Sequence, residues 1–131
     1  MKKVLFISAV CIAVCIGLAS TGTGFNKNII SPPFSCTCMQ AIFNSCLNKT
    51  IHYTFEYDCS TRVLTGIDAT DDNGNPLDVQ GLVVNSSNKT FIVAVNDPSN
   101  CNLVYMSGTY NFSTGCGVTL TITECFPGGG C

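Results

Sequence analysis

The sequence predicts an all-β protein: a disulfide-stabilised antiparallel β-sandwich of about seven short strands, with a short N-terminal helical or loop segment. Three observations carry this expectation. Apolar and polar side chains alternate with a period of two from residue 51 onward, which is the pattern of half-buried strands. Clusters of Asn, Asp, Gly, Pro and Ser break that alternation at intervals suited to short strands joined by turns. Ten cysteines in 131 residues, with charged residues at only 11%, indicate an oxidising compartment and a chain too apolar to stay disordered.

The elements follow in order. Residues 38–47 hold Met39, Ile42, Phe43 and Cys46 at i, i+3, i+4 and i+7, so this segment is the one place where a helical turn or two is expected. Ile51, Tyr53, Phe55 and Tyr57 then alternate with His52, Thr54, Glu56 and Asp58, a strand with one solvated face. Val63, Thr65, Ile67 and Ala69 form the next run, and Leu77, Val79, Gly81 and Val83 the one after it. Between them lies Asp71-Asp72-Asn73-Gly74-Asn75-Pro76, where Asn-Gly supplies the positive φ angles of a tight hairpin. Residues 85–89 read as a second turn. Residues 90–95 are apolar on both sides and are expected at the sheet centre, and Asp97-Pro98-Ser99-Asn100 ends them. Residues 103–106, 109–112 and 117–123 complete the set, the last alternating Val118, Leu120 and Ile122 with threonines. No internal repeat is visible.

The domain organisation has four parts. Residues 1–19 read as a secretory signal peptide, from Lys2 and Lys3 through an apolar run to Gly17-Leu18-Ala19, where small residues precede the cut. The run is shorter than the roughly 20 residues a membrane-spanning helix needs, so no membrane association is expected after cleavage. Residues 20–33 read as a flexible leader, residues 34–126 as the disulfide-rich β domain, and residues 127–131 as a flexible Gly-rich tail ending in Cys131. Cys11 and Cys15 leave with the signal. The mature chain keeps Cys36, Cys38, Cys46, Cys59, Cys101, Cys116, Cys125 and Cys131, an even number, as a closed disulfide framework requires. Asn48, Asn85, Asn88 and Asn111 each open an Asn-x-Ser/Thr acceptor for N-glycosylation. Signal, cysteines and acceptors together predict a secreted, extracellular glycoprotein.

Metal binding and redox catalysis are poor readings of the cysteines. Cys36-Thr37-Cys38 has one intervening residue and the chain has one His, whereas zinc sites pair cysteines two to four residues apart and redox sites use Cys-x-x-Cys. Two cysteines so close bond each other only with strain, so each is expected to reach a different partner. The pairing itself stays open among 105 arrangements. Cys36 and Cys38 should pin the leader, and Cys131 either closes back on the body or makes an intermolecular disulfide.

No catalytic residue, metal ligand or cofactor emerges. His52, Glu56 and Asp58 share one strand face, but alternate residues on a strand are roughly 7 Å apart, which leaves His52 and Glu56 out of contact. Asp68, Asp71, Asp72, Asn73 and Asp78 make an acidic patch. An EF-hand register with Gly74 at position six puts Ala69 first and Gln80 last, where acids belong, so a plain turn is the better reading. There is no Gly-x-Ser-x-Gly and no phosphate-cradling loop. A formal net charge of −2 for the whole chain argues against nucleic acid.

Asp58-Cys59-Ser60-Thr61-Arg62-Val63-Leu64-Thr65 and Val118-Thr119-Leu120-Thr121-Ile122-Thr123-Glu124-Cys125 resemble pieces of the small secreted six-cysteine extracellular domains of nematodes. This chain departs from that pattern in having eight mature cysteines, no cysteine directly after Thr65 and no tryptophan. The resemblance implies an extracellular β-rich domain without established activity. The expected function is a non-catalytic extracellular binding module for a protein or glycan. A carrier of an apolar ligand is the alternative, and a small hydrolase using His52 a third.

Overall fold

The computed structural model describes residues 34–131; the signal and leader expected over residues 1–33 lie outside the described residues. Seven strands run in order: β1 (Ser35–Asn44), β2 (Lys49–Asp58), β3 (Leu64–Asp71), β4 (Pro76–Asn85), β5 (Thr90–Asp97), β6 (Asn102–Asn111) and β7 (Gly117–Phe126). Each pairs antiparallel with its sequence neighbours in a single sheet of order β1-β2-β3-β4-β5-β6-β7. The all-β expectation is met, but the arrangement is one sheet curled into a half-barrel and not a pair of facing sheets. The corner falls at β4. Only Ala69↔Leu77 and Thr70↔Pro76 join it to β3, after which β4 follows β5.

The helical turn expected over residues 38–47 is corrected: the segment is strand β1 and the turn after it. Met39, Ile42, Phe43 and Cys46 fit a helical period, yet Cys36, Cys38, Gln40, Ile42 and Asn44 fit a period of two equally well. Ten residue pairs with β2, from Ser35↔Asp58 to Asn44↔Lys49, settle the competition. Cys36 and Cys38 both pack against the core, which residues two apart do on a strand but not on a helix. Met39 and Phe43, the supposed apolar face, are exposed.

Two expected strands, residues 103–106 and 109–112, are one strand, β6, running through Ser107-Gly108. Gly108 does not break it, because the Phe91 ring occupies the place of its missing side chain. A Cβ there would lie 2.5 Å from Phe91 Cζ and 2.4 Å from the Thr119 carbonyl oxygen.

The expected inward face also slips phase twice. A bulge between Glu56 and Tyr57 turns Leu64 into the core and leaves Thr65 exposed, with its hydroxyl donating to the Glu56 carbonyl oxygen at 3.0 Å. The irregularity between Gln80 and Val83 passes through Gly81, whose φ is +62°. It sends Leu82 and Val84 toward the core and Val83 out. Such extra residues are the ordinary cause of a local bend. β5 does lie inside the sheet, between β4 and β6, with Phe91, Val93 and Val95 buried and Ile92 exposed.

Tyr53, Phe55, Phe91 and Phe112 fill the centre with Ile51, Val95 and Val104, all less than 2% exposed. The Tyr57 and Phe112 rings stack at 4.1 Å with 6° between their planes. Burying side chains of this size contributes about 1.5–3 kcal/mol each, so the sheet has a substantial core of its own.

The turns do contain a repeat that the side-chain alphabet conceals. Each of β1 to β6 ends on Asn or Asp: Asn44, Asp58, Asp71, Asn85, Asp97 and Asn111. In every case the side-chain oxygen accepts a hydrogen bond from the backbone N–H two residues on, those of Cys46, Ser60, Asn73, Ser87, Ser99 and Ser113. A positive-φ residue then turns the chain back: Asn48, Arg62, Gly74, Lys89, Cys101 or Gly115. This is Asx-turn chemistry, in which the side chain stands in for a backbone carbonyl. In the β3–β4 turn, Gly74 alone has positive φ, and its N–H donates to the Asp71 carbonyl oxygen at 3.0 Å while the Asp71 N–H donates to Asn75. That is a three-residue loop, not the two-residue Asn-Gly turn expected.

Candidate binding site

In a seven-strand meander the first and last strands run parallel, and curling brings them side by side. Here β1 and β7 are not neighbours in the hydrogen-bonded order. Two disulfides join them instead, Cys38–Cys116 and Cys46–Cys125, with Cα–Cα distances of 5.6 and 5.8 Å. The Gln40 side-chain amide adds a hydrogen bond to the Cys116 carbonyl oxygen. The other bridges are Cys36–Cys59 and Cys101–Cys131. All eight cysteines of the described region are therefore engaged, and Cys36 and Cys38 do reach different partners. Of the two fates open to Cys131, it closes within the chain. The tail is correspondingly tied down: the Gly130 N–H donates to the Cys101 carbonyl oxygen at 2.8 Å, and its carbonyl accepts from Asn96 Nδ2 at 2.6 Å.

Between the two bridges the wall opens. A cavity of about 330 Å³ is lined by Ile42, Phe43, Asn44 and Ser45 from the end of β1, Leu120, Thr121 and Ile122 from β7, and Tyr53 and Met106 beneath them. Phe43, Ser45 and Thr121 are exposed and form the rim, whereas Asn44, Tyr53 and Met106 are buried and form the floor. The period of two explains the passage from rim to floor, since successive residues of each strand point to opposite faces.

The floor is polar at two points. Asn44 Oδ1 is used by the turn, accepting from the N–H groups of Cys46 and Leu47 at 3.0 and 3.1 Å. Its Nδ2 meets only the Tyr53 hydroxyl at 3.5 Å and Met106 Sδ at 3.6 Å. The Tyr53 hydroxyl in turn lies 3.5 Å from Met106 Sδ. Burial pushes the Tyr53 phenol above its ordinary range, and the Asn44 contact offsets that only in part, so the hydroxyl keeps its proton.

The same end of the half-barrel carries a charged pin. Lys49 Nζ lies 2.6 Å from Asp97 Oδ2, and the Asp97 side chain is 2% exposed. Burial works to raise the Asp97 carboxyl, but hydrogen bonds from Lys49 and Ser99 and the Lys49 charge together hold it below the usual range. Asp71 is also lowered, first by the Asn75 side chain and backbone and then by Asn73 and Lys49. One lysine thus acts on two separate turns.

The remaining sequence candidates do not assemble. His52 Nε2 lies 2.8 Å from Asp72 Oδ1 on the outer face, with both side chains at least 40% exposed. It touches neither Glu56 nor Asp58. Asp58 instead caps its turn, with its carboxyl lowered by the Thr61 and Ser60 N–H groups. Among the described residues no cluster of three or more His, Cys, Asp or Glu side chains could hold a metal. Asp71 of the acidic patch is turned into its own loop. Asn48 and Asn88 are exposed in turns, and Asn85 and Asn111 are exposed at the strand ends that lead into turns. Asn85 and Asn111 have a structural role as well, since the side-chain oxygen of each accepts the backbone N–H two residues on in its Asx turn.

Sequence reasoning missed the seam residues. Asn44 was absorbed into the supposed helix, and Tyr53 and Leu120 read as ordinary core. The available signal was the matched spacing of Cys38 to Cys46 and Cys116 to Cys125, eight and nine residues, which suits two strands running in parallel. What fold and site define is a disulfide-stapled β-meander with a cavity at its closure. Comparison with protein-family models, curated proteins and solved structures finds no match for the chain.

Proposed function

We propose that this is a secreted, disulfide-rich glycoprotein that acts as a non-catalytic extracellular binding module, with the β1/β7 seam as its binding site. The observation that carries this reading is the cavity between the two seam disulfides, with an exposed apolar rim residue, Phe43, and apolar walls from Ile42, Leu120 and Ile122. Pre-formed concave sites with apolar walls and a few polar groups are where small ligands bind. That favours the carrier of an apolar ligand over the protein or glycan partner. The hydrolase reading has less support, since the one described partner of His52 is Asp72. Glycans on Asn85, Asn88 and Asn111 would sit in the β4–β5 and β6–β7 turns, at the end opposite the β1–β2 turn beside the cavity. None of the four acceptors lines the cavity.

The test is to secrete the full chain from a eukaryotic host and titrate the purified protein with 1-aminonaphthalene, a neutral fluorescent probe. Saturable uptake is expected, lost when Ile122→Arg places a charge in the wall. Non-saturable uptake, or saturable uptake indifferent to Ile122→Arg, would remove the seam as the binding site.

A further inference from the structure

Resting on the reading of the seam as a binding cavity, the geometry points to one ligand class: a small, uncharged molecule with an apolar body and one hydrogen-bond acceptor, a carbonyl above all. We infer that its acceptor is read by the Tyr53 hydroxyl and Asn44 Nδ2, the two donors on the cavity floor.

Tyr53 and Asn44 are 1% and 2% exposed, yet neither donor has a strong partner. Their mutual contact is 3.5 Å and the other contacts go to a thioether sulfur at 3.5 and 3.6 Å. The Asn44–Tyr53 distance is at the limit of a hydrogen bond to oxygen, and although the two sulfur contacts are of ordinary length for that larger atom, Met sulfur is a weak acceptor. A buried donor left so poorly matched costs stability, so a pair of them converging on one cavity is better explained by an acceptor that arrives than by packing.

The lining contains no Lys, Arg or His. An anion would enter without a counter-charge, which the desolvation of an ionised group opposes strongly. The acceptor is therefore neutral. Ile42, Leu120 and Ile122 take the body, and Phe43 stands at the mouth. Since one water takes roughly 30 Å³ in the liquid, a cavity of about 330 Å³ has the room of about ten waters, enough for a compact molecule the size of a substituted benzene.

The experiment uses three compounds of nearly equal size, followed by ¹⁵N-resolved NMR titration of the disulfide-intact protein: acetophenone, α-methylstyrene in which the carbonyl oxygen is replaced by CH₂, and benzoate. The variant is Tyr53→Phe, which deletes the hydroxyl and keeps the ring. Acetophenone should perturb the amides of Ile42 and Leu120 and weaken about five- to tenfold in Tyr53→Phe, the worth of one hydrogen bond. The affinity of α-methylstyrene should not change. Benzoate at neutral pH should bind at least tenfold more weakly than acetophenone. If Tyr53→Phe leaves acetophenone unchanged, or weakens both neutral compounds alike, the assignment of the floor is overturned while the cavity stands as a binding site. Equal affinity for benzoate overturns the neutral-ligand argument. If no compound moves the seam amides, the cavity reading itself falls.

Discussion

The two ways in which neighbouring strands are joined in this molecule invite comparison. β5 and β6 are linked by eight successive residue pairs from Thr90↔Thr109 to Asp97↔Asn102, over a face that buries Phe91, Val93, Val95, Val104 and Met106. β1 and β7 are held by two disulfides in place of a ladder, with Cα–Cα distances of 5.6 and 5.8 Å at the bridges. A ladder leaves little room between strands, because every residue pair is drawn to hydrogen-bonding distance. Two covalent staples hold the strands only where they act, and the wall between them can part. The chain thus obtains a rigid closure and an opening in the same place.

The comparison can be tested by damaging each region in turn. Phe55→Ala, at a fully buried position in the laddered core, should cost about 3–5 kcal/mol from lost burial and the cavity left behind, read from denaturant midpoints. Replacing Cys46 and Cys125 together by Ser should cost about 2–4 kcal/mol. Amide exchange should speed up in β1 and β7 before β5 and β6. Uniform acceleration would mean that the seam is no separate unit. Gly108→Ala drives a methyl into the Phe91 ring and the Thr119 carbonyl and should cost about 1–3 kcal/mol, with the loss located in the β5–β6–β7 ladder.

The smallest effect is a dependence on acid. The Asp97 carboxyl is lowered in the folded protein, so the unfolded chain binds the proton more readily. Stability from the Lys49–Asp97 pair is present above the unfolded pKa, about 3.9, and is lost as pH falls through the folded value. Thermal melts should therefore drop as pH is lowered below about 4, and Asp97→Asn should melt lower at neutral pH but with a shallower acid dependence. An unchanged acid slope in the variant would assign the loss to other carboxylates, Asp58 and Asp71 first, since both are also lowered.

Much of this fold was legible from residue order. β2 is a plain case: Ile51, Tyr53, Phe55 and Tyr57 alternate, and all four are buried. β1 was not, because a short segment with Cys at 36, 38 and 46 fits both periods, and only pairing with β2 decides. The phase slips at Thr65 and Gly81 were hidden for a related reason. A bulge is one residue too many relative to the partner strand, and the partner is not visible in a single segment. The six Asx turns were within reach, since each is local, but the Asn/Asp ambiguity and uneven spacing masked them. Of the candidate site, Asn44 and Tyr53 were not legible: their significance lies in a shortage of partners, which is a property of surroundings.

What the sequence determined alone is therefore what short-range physics governs: most strands by alternation, the turns by Asn, Asp and Gly, and an even set of eight cysteines in residues 34–131. The tertiary structure decided the rest. Which of 105 pairings is adopted, which strand faces which, and where the wall opens all depend on the curl that brings Cys38 beside Cys116 and Cys46 beside Cys125, separations of 78 and 79 residues. Contacts across such a distance are fixed by how the whole sheet bends around its aromatic core, and no window of the sequence contains that information.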